Sequence, residues 1–103
     1  RSFCFVDDLI RGFILMMDSN DSINGPINLG NPNEFTVLEL ATKILYLTNS
    51  NSEILFKDLP EDDPQQRKPD IAQAKSLLGW EPDIQLEDGL KRTIDYFKNI
   101  LKI

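Results

Sequence analysis

The chain has no histidine and a single cysteine, Cys4, among its 103 residues. Without histidine there is no imidazole base, no Ser-His-Asp relay and no histidine-ligated metal. One cysteine allows neither an internal disulfide nor a cysteine zinc site, and it is compatible with a reducing compartment such as the cytosol. Positive charge is also scarce. Eleven Lys and Arg stand against 17 Asp and Glu, for a net charge of −6, whereas a nucleic-acid surface needs clustered cations. No apolar run approaches the roughly 20 residues of a membrane span. Neither a Gly-x-Gly-x-x-Gly turn nor a P-loop occurs. The sequence opens on Arg1, with no Met and no signal-peptide pattern, and the expectation is a piece of a larger protein.

Apolar residues make up 41% of the chain, enough for a packed core and too many for a disordered segment. Residues 1–6 (RSFCFV) alternate and are aromatic-rich, which predicts a short strand. Leu9, Ile10, Phe13, Ile14 and Met17 then follow the spacing of an amphipathic helix. Asp7 is its expected N-cap. Asp7 and Asp8 together suit the positive end of the helix dipole better than a metal or acid–base pair, because no other ligand type lies nearby. Residues 18–26 (DSNDSINGP) form a turn-rich loop. Asp18, Asn20 and Ser22 alternate like calcium ligands, but Ile23 and Leu29 stand where such a loop needs Gly and Glu. Asn20-Asp21-Ser22 is a formal glycosylation sequon.

Residues 27–29 read as a second strand, entering the turn Gly30-Asn31-Pro32-Asn33. Thr36-Val37-Leu38-Glu39 is a capping box. It precedes a second helix whose expected buried stripe is Val37, Leu40, Ala41, Ile44 and Leu45. Residues 53–57 (EILFK) read as a third strand. After a proline-rich loop, Asp70 is the expected N-cap of a third helix carrying Ile71, Ala74, Leu77 and Leu78. Gly79 stops it in a left-handed C′ position, Trp80 packs over its end, and Pro82 prevents continuation. A last helix carries Leu86, Leu90, Ile94, Phe97 and Leu101, with Glu87 and Asp88 in its first turn and no Ser or Thr to cap it. The alternation predicts an α/β fold with parallel strands at the margin of a larger sheet.

No catalytic set is present, and no metal site is expected. Tyr46 and Tyr96 ride on helices as packing or surface residues. Lys91-Arg92 and Glu61-Asp62-Asp63 read as solvated edges. Two cations stand apart. Arg67 lies between Pro64 and Pro69, which fix φ and resist helix, and a guanidinium pairs bidentately with phosphate or carboxylate. The alternative for Arg67 is a surface pair with Asp63 or Asp70. Arg1, at the head of the first predicted strand, is the second candidate.

At these residues the sequence resembles a known family. Arg1 to Leu9 is similar to the R-x-F-x-Y-V-x-D segment of the extended short-chain dehydrogenase/reductase superfamily of nucleotide-sugar enzymes, with Phe5 where the pattern usually has Tyr. Ile27 to Pro32 resembles its x-N-L-G-N-P strand and turn. Asp62-Asp63-Pro64-Gln65-Gln66-Arg67-Lys68-Pro69-Asp70, with Leu78-Gly79-Trp80-Glu81-Pro82 and Leu86-Glu87-Asp88-Gly89-Leu90, resembles the C-terminal signature of UDP-glucuronate decarboxylase, also called UDP-xylose synthase. The resemblance implies the C-terminal substrate-binding portion of an extended Rossmann-type enzyme, mostly helical with a few short strands and spanning residues 1–103. It implies that Arg1 and Arg67 hold the UDP diphosphate. It also implies that NAD and the Tyr-x-x-x-Lys catalytic pair belong to an N-terminal domain outside this chain, which alone should be inactive. In the family, oxidation at C4 of UDP-glucuronate by NAD gives a β-keto acid, which loses CO₂ and is reduced to UDP-xylose. The parent enzyme is expected to be a homodimer that is cytoplasmic or, alternatively, in the Golgi lumen, with no nucleic-acid or membrane contact from this segment. The rivals are a nucleotide-sugar 4,6-dehydratase or 4-epimerase, and a non-catalytic helical module that binds a protein partner.

Overall fold

The computed structural model describes the chain apart from residues 21, 24, 58–67 and 103. Helix α1 spans Val6–Met17, α2 spans Val37–Thr48 and α3 spans Leu86–Leu101. A short helical segment precedes α3 and widens into a π turn over Ala74–Leu78. No helix among the described residues is long and apolar enough to cross a membrane.

The three predicted strands do not form among the described residues. Residues 1–5 are extended, and their one strand-like contact is an isolated antiparallel bridge from Ser2 to Glu34. Beside it, the amide of Phe35 donates to the Arg1 carbonyl at 2.8 Å. Residues 27–29 and 53–57 have strand composition without a paired neighbour, and Leu55 and Phe56 are 78% and 80% exposed. A strand is completed by the edge it pairs with, and a segment that lacks one stays a connector. The mostly helical character holds; the parallel-sheet margin is not formed here.

Helix starts follow local chemistry. Thr36 accepts from the Glu39 amide at 2.9 Å, and the Glu39 carboxylate accepts from the Thr36 amide at 2.9 Å, completing the capping box. Asp70 caps as expected, its carboxylate accepting from the Ala72 amide at 3.0 Å. Asp7 does not cap α1. That helix starts two residues earlier, with Phe5 in the cap position and no side-chain cap. Gln85 likewise gives α3 no side-chain cap. Gly79 closes the π turn at φ +63°, as its C′ role required.

The core is small. Ile71, Ala74 and Trp80 are buried, with Leu15, Ile27, Leu29 and Leu78 packed on them. Helix α1 meets this core through Asp8, Gly12 and Leu15, spaced i, i+4, i+7. At Gly12 a methyl group would lie 2.7 Å from a Leu29 methyl and 3.1 Å from Trp80 Nε1, so only glycine admits this approach. The apolar stripe on which α1 was recognised points outward instead. Ile10, Phe13, Ile14 and Met17 are 48–76% exposed, and of that stripe only Leu9 is half-buried. The expected stripe of α2 is also only partly covered, and none of its residues is fully buried.

Candidate functional site

Arg1 and the Pro69–Asp70 stem both contact one connector, residues 27–35. At its far end, the N-terminal ammonium of Arg1 donates to the Phe35 carbonyl at 2.9 Å, reciprocating the bond from Phe35. At its near end sits the stem that follows the proline-rich loop. The Asn28 side-chain amide donates to the Asp70 carbonyl at 3.4 Å. The Pro69 ring lies directly over Gly30. Gly30 and Phe35 are five positions apart, a span of at most roughly 17 Å even when fully extended. Arg67 itself lies outside the described residues.

The connector is held on three sides. Leu29 enters the core. Buried Asn31 uses its side-chain oxygen to accept from the Asn33 amide at 3.0 Å. The Asn33 side chain donates to Gln85 Oε1 at 3.0 Å, tying the connector to the start of α3. The connector is therefore fixed by the core, by its own turn and by the start of α3.

A second constellation escaped the sequence reading. Asp8 is buried, yet its carboxylate accepts from the Ile84 amide at 2.9 Å, and its carbonyl accepts from Trp80 Nε1 at 2.9 Å. Arg11 lies 3.6 Å from Asp8 and 3.3 Å from Asp83, donates to the Glu81 carbonyl, and stacks 5.8 Å from the Trp80 ring centre. These contacts clamp the head of α1 to the turn Trp80–Ile84. Reading Asp8 as a dipole-favoured carboxylate missed the clamp. Its sequence signal was an Asp and an Arg three residues apart on a helix, which does not disclose a partner some 70 residues on.

The N-terminal segment also borders an apolar groove of about 680 Å³ between α2 and α3, lined by Phe3, Phe5, Leu40, Ile44, Leu86 and Phe97. Cys4 faces it. Burial pushes its thiol above the ordinary value and nearby Asp8 adds to this, while Arg11 opposes it. A thiol held protonated is a poor nucleophile. Among the described residues no group of three or more acidic or cysteine side chains is placed to hold a metal. Gly12, Gly30 and Gly89 are closely approached by Leu29, Pro69 and Phe5 respectively, whereas Gly25 and Gly79 have open space beside them.

No family profile matches the chain. Among solved structures, an epimerase from Methanothermobacter thermautotrophicus superposes with a TM-score of 0.91 and 31% identity, covering 99% of this chain and 31% of its own. A UDP-glucuronic acid 4-epimerase from Bacillus cereus, in complex with UDP-glucuronic acid and NAD, gives 0.87 and 29%, covering 97% of this chain and 32% of its own. The fold is thus that of a segment of the nucleotide-sugar epimerases and dehydratases of the extended short-chain dehydrogenase/reductase superfamily. Within that class, the sequence likeness is to UDP-glucuronic acid decarboxylases. The chain is 51% identical over 102 residues to one from Danio rerio, covering 99% of this chain. It is 48% identical over 103 residues to one from Arabidopsis thaliana, covering all of it. It spans 24% and 30% of the length of these two relatives.

Proposed function

We propose that the chain is the nucleotide-sugar-binding, C-terminal portion of an NAD-dependent UDP-glucuronate decarboxylase, a homodimer that converts UDP-glucuronate to UDP-xylose and CO₂. The observation that carries this is the 51% identity along 99% of the chain, against 29% for the UDP-glucuronic acid 4-epimerase. The motif Arg67-Lys68-Pro69-Asp70 lies within the matched length.

In this reading the chain binds and orients, and the rest of the protein holds NAD and the bond-breaking groups. Arg1 and Arg67 grip the UDP diphosphate. UDP is remote from the reacting carbons, so binding energy gained there fixes the sugar in a reactive pose. In a chain of net charge −6, an anionic ligand requires such local cations. The outward apolar face of α1 is where the rest of the protein packs.

The test is Arg67→Ala in the full-length protein. Loss of a charge-assisted contact costs about 1.5–3 kcal/mol, so UDP affinity should fall roughly tenfold to over a hundredfold, with NAD affinity unchanged. Unaltered UDP binding would remove Arg67 from the site. Product analysis separates the reaction from its relatives: CO₂ and a pentose identify the decarboxylase, a retained hexose an epimerase or dehydratase.

A further inference from the structure

We infer that Phe35 is a positioning residue for UDP binding: its backbone N–H and carbonyl anchor the backbone of Arg1 and so set where the Arg1 guanidinium stands. The inference rests on the reading above in which Arg1 grips the diphosphate.

The two residues meet twice. The Phe35 amide donates to the Arg1 carbonyl at 2.8 Å, and the Arg1 nitrogen donates to the Phe35 carbonyl at 2.9 Å. Residues that exchange both bonds form the closely bonded pair of an antiparallel ladder, here across 34 positions of sequence. Ser2 and Glu34 extend it by one bridge. Beyond Ser2, residues 3–5 run extended, with no strand pairing among the described residues, into α1 at Val6. The segment that carries Arg1 therefore takes its register from this pair and its bridge.

Phe35 can anchor Arg1 because it is itself held on both sides. Directly after it, the Thr36 amide donates to the Glu39 carboxylate and the Thr36 hydroxyl accepts from the Glu39 amide, both at 2.9 Å. These bonds fix the chain to the first turn of α2. Two residues before Phe35, the Asn33 amide donates to buried Asn31 at 3.0 Å. The Asn33 side chain donates to Gln85, the residue in the cap position of α3. Asn33 is exposed and fills no core, so its side chain acts through that bond. The starts of two helices thus converge on the residue that registers Arg1. A guanidinium recognises phosphate through a planar fork whose direction matters. A shift at the root of the side chain carries into that fork.

The experiment compares Phe35→Pro, Phe35→Ala, Arg1→Ala and the Phe35→Pro/Arg1→Ala double variant in the full-length protein, with UDP as the calorimetric probe. Proline deletes the N–H that bonds Arg1, and the extended backbone it favours in the preceding residue suits bridged Glu34. Alanine keeps both backbone bonds and removes only the ring. Phe35→Pro should weaken UDP binding roughly tenfold or more, because misplacing a positioning group by about 1 Å can cost about a hundredfold. KM for the UDP-sugar should rise more than kcat falls, and NAD affinity should hold. Phe35→Ala should weaken UDP binding less than Phe35→Pro, and Phe35→Pro should add nothing once Arg1 is alanine. Unchanged UDP affinity in Phe35→Pro, an equal loss in Phe35→Ala, or losses that add in the double variant would overturn the anchor. If Phe35→Pro does not fold, Asn33→Ala decides. It should weaken UDP binding roughly two- to tenfold, the worth of one neutral hydrogen bond, and have no effect in the Arg1→Ala background; no loss, or the same loss in both backgrounds, refutes the anchor. Arg1→Ala separates this inference from the reading beneath it. If Arg1→Ala leaves UDP affinity unchanged, the reading fails and the anchor with it. If Arg1→Ala weakens UDP binding while Phe35→Pro and Asn33→Ala do not, the anchor fails and Arg1 stays in the site.

Discussion

Trp80 and Asp8 carry much of the stability at the residue scale. Trp80 is fully buried and its indole N–H is used by the Asp8 carbonyl. Trp80→Ala should cost about 3–5 kcal/mol, as large-to-small changes at buried aromatics do, read from urea unfolding of the full-length protein. Asp8→Ala strips the Ile84 amide of its acceptor and Arg11 of one carboxylate. An orphaned buried donor costs about 1–3 kcal/mol, so the same measurement should show a smaller loss. The Arg11–Asp83 pair is largely solvated, and its removal alone should change little. Cys4 offers a chemical check. With its thiol held protonated chiefly by burial, it should react with a disulfide reagent more slowly than free cysteine at mildly alkaline pH; faster reaction would contradict the described environment.

Capping chemistry dominates at the scale of elements. The Glu39 carboxyl is held below its ordinary value of 4.5, first by the hydrogen bond from the Thr36 amide and then by the Thr36 side chain. A carboxylate depressed on folding stabilises the native state above its unfolded value, and that contribution is lost as pH falls through the folded one. Glu39→Gln should therefore be less stable than the parent above about pH 4.5, with the difference shrinking on further acidification. A gap that persists undiminished at low pH would exclude the capping box as its source. Thr36→Ala should cost about 1 kcal/mol at neutral pH.

The same scale shows what the sequence made legible. The Thr36 box, the Gly79 stop, the Asp70 cap and the burial of Trp80 depend on residues within a few positions of one another, and each is found as read. The three strands depended on distant partners. Residues 1–6, 27–29 and 53–57 have the composition of strands, but composition cannot supply an edge to pair with. Helix α1 shows the limit in another form. Its apolar period correctly announced a helix but assigned the wrong face to the core, because Asp8 and Gly12 do not register as apolar. Of the candidate site, the sequence proposed two cations, of which Arg67 lies outside the described residues. The connector that links the Arg1 end to the Pro69 stem was not, since its role lies in contacts across some 40 residues.

For the whole molecule, the described surface is too large for a closed domain. A compact protein of 11.8 kDa exposes roughly 5900 Å², whereas this chain exposes 8104 Å². Its radius of gyration is 16.5 Å, against about 13 Å for a compact domain of this length. The exposed apolar side chains of α1, Val6, Ile10, Phe13, Ile14 and Met17, are part of that surface. Kept alone, the 103-residue chain should associate in a concentration-dependent way by light scattering. In the full-length protein, Phe13→Glu with Met17→Glu should lower the unfolding midpoint. An unchanged midpoint would mean that the α1 face is not a packing surface.

Trp80 is also the sole tryptophan of the chain. Its ring is shielded from water, hydrogen-bonded and faced by the Arg11 guanidinium. These contacts make it an intrinsic optical reporter. Its fluorescence should be blue-shifted in the folded chain and move to the red when α1 separates from the turn Trp80–Ile84. Opening of this small core can then be followed without any label, at the junction where the first helix meets the residues that carry the stem.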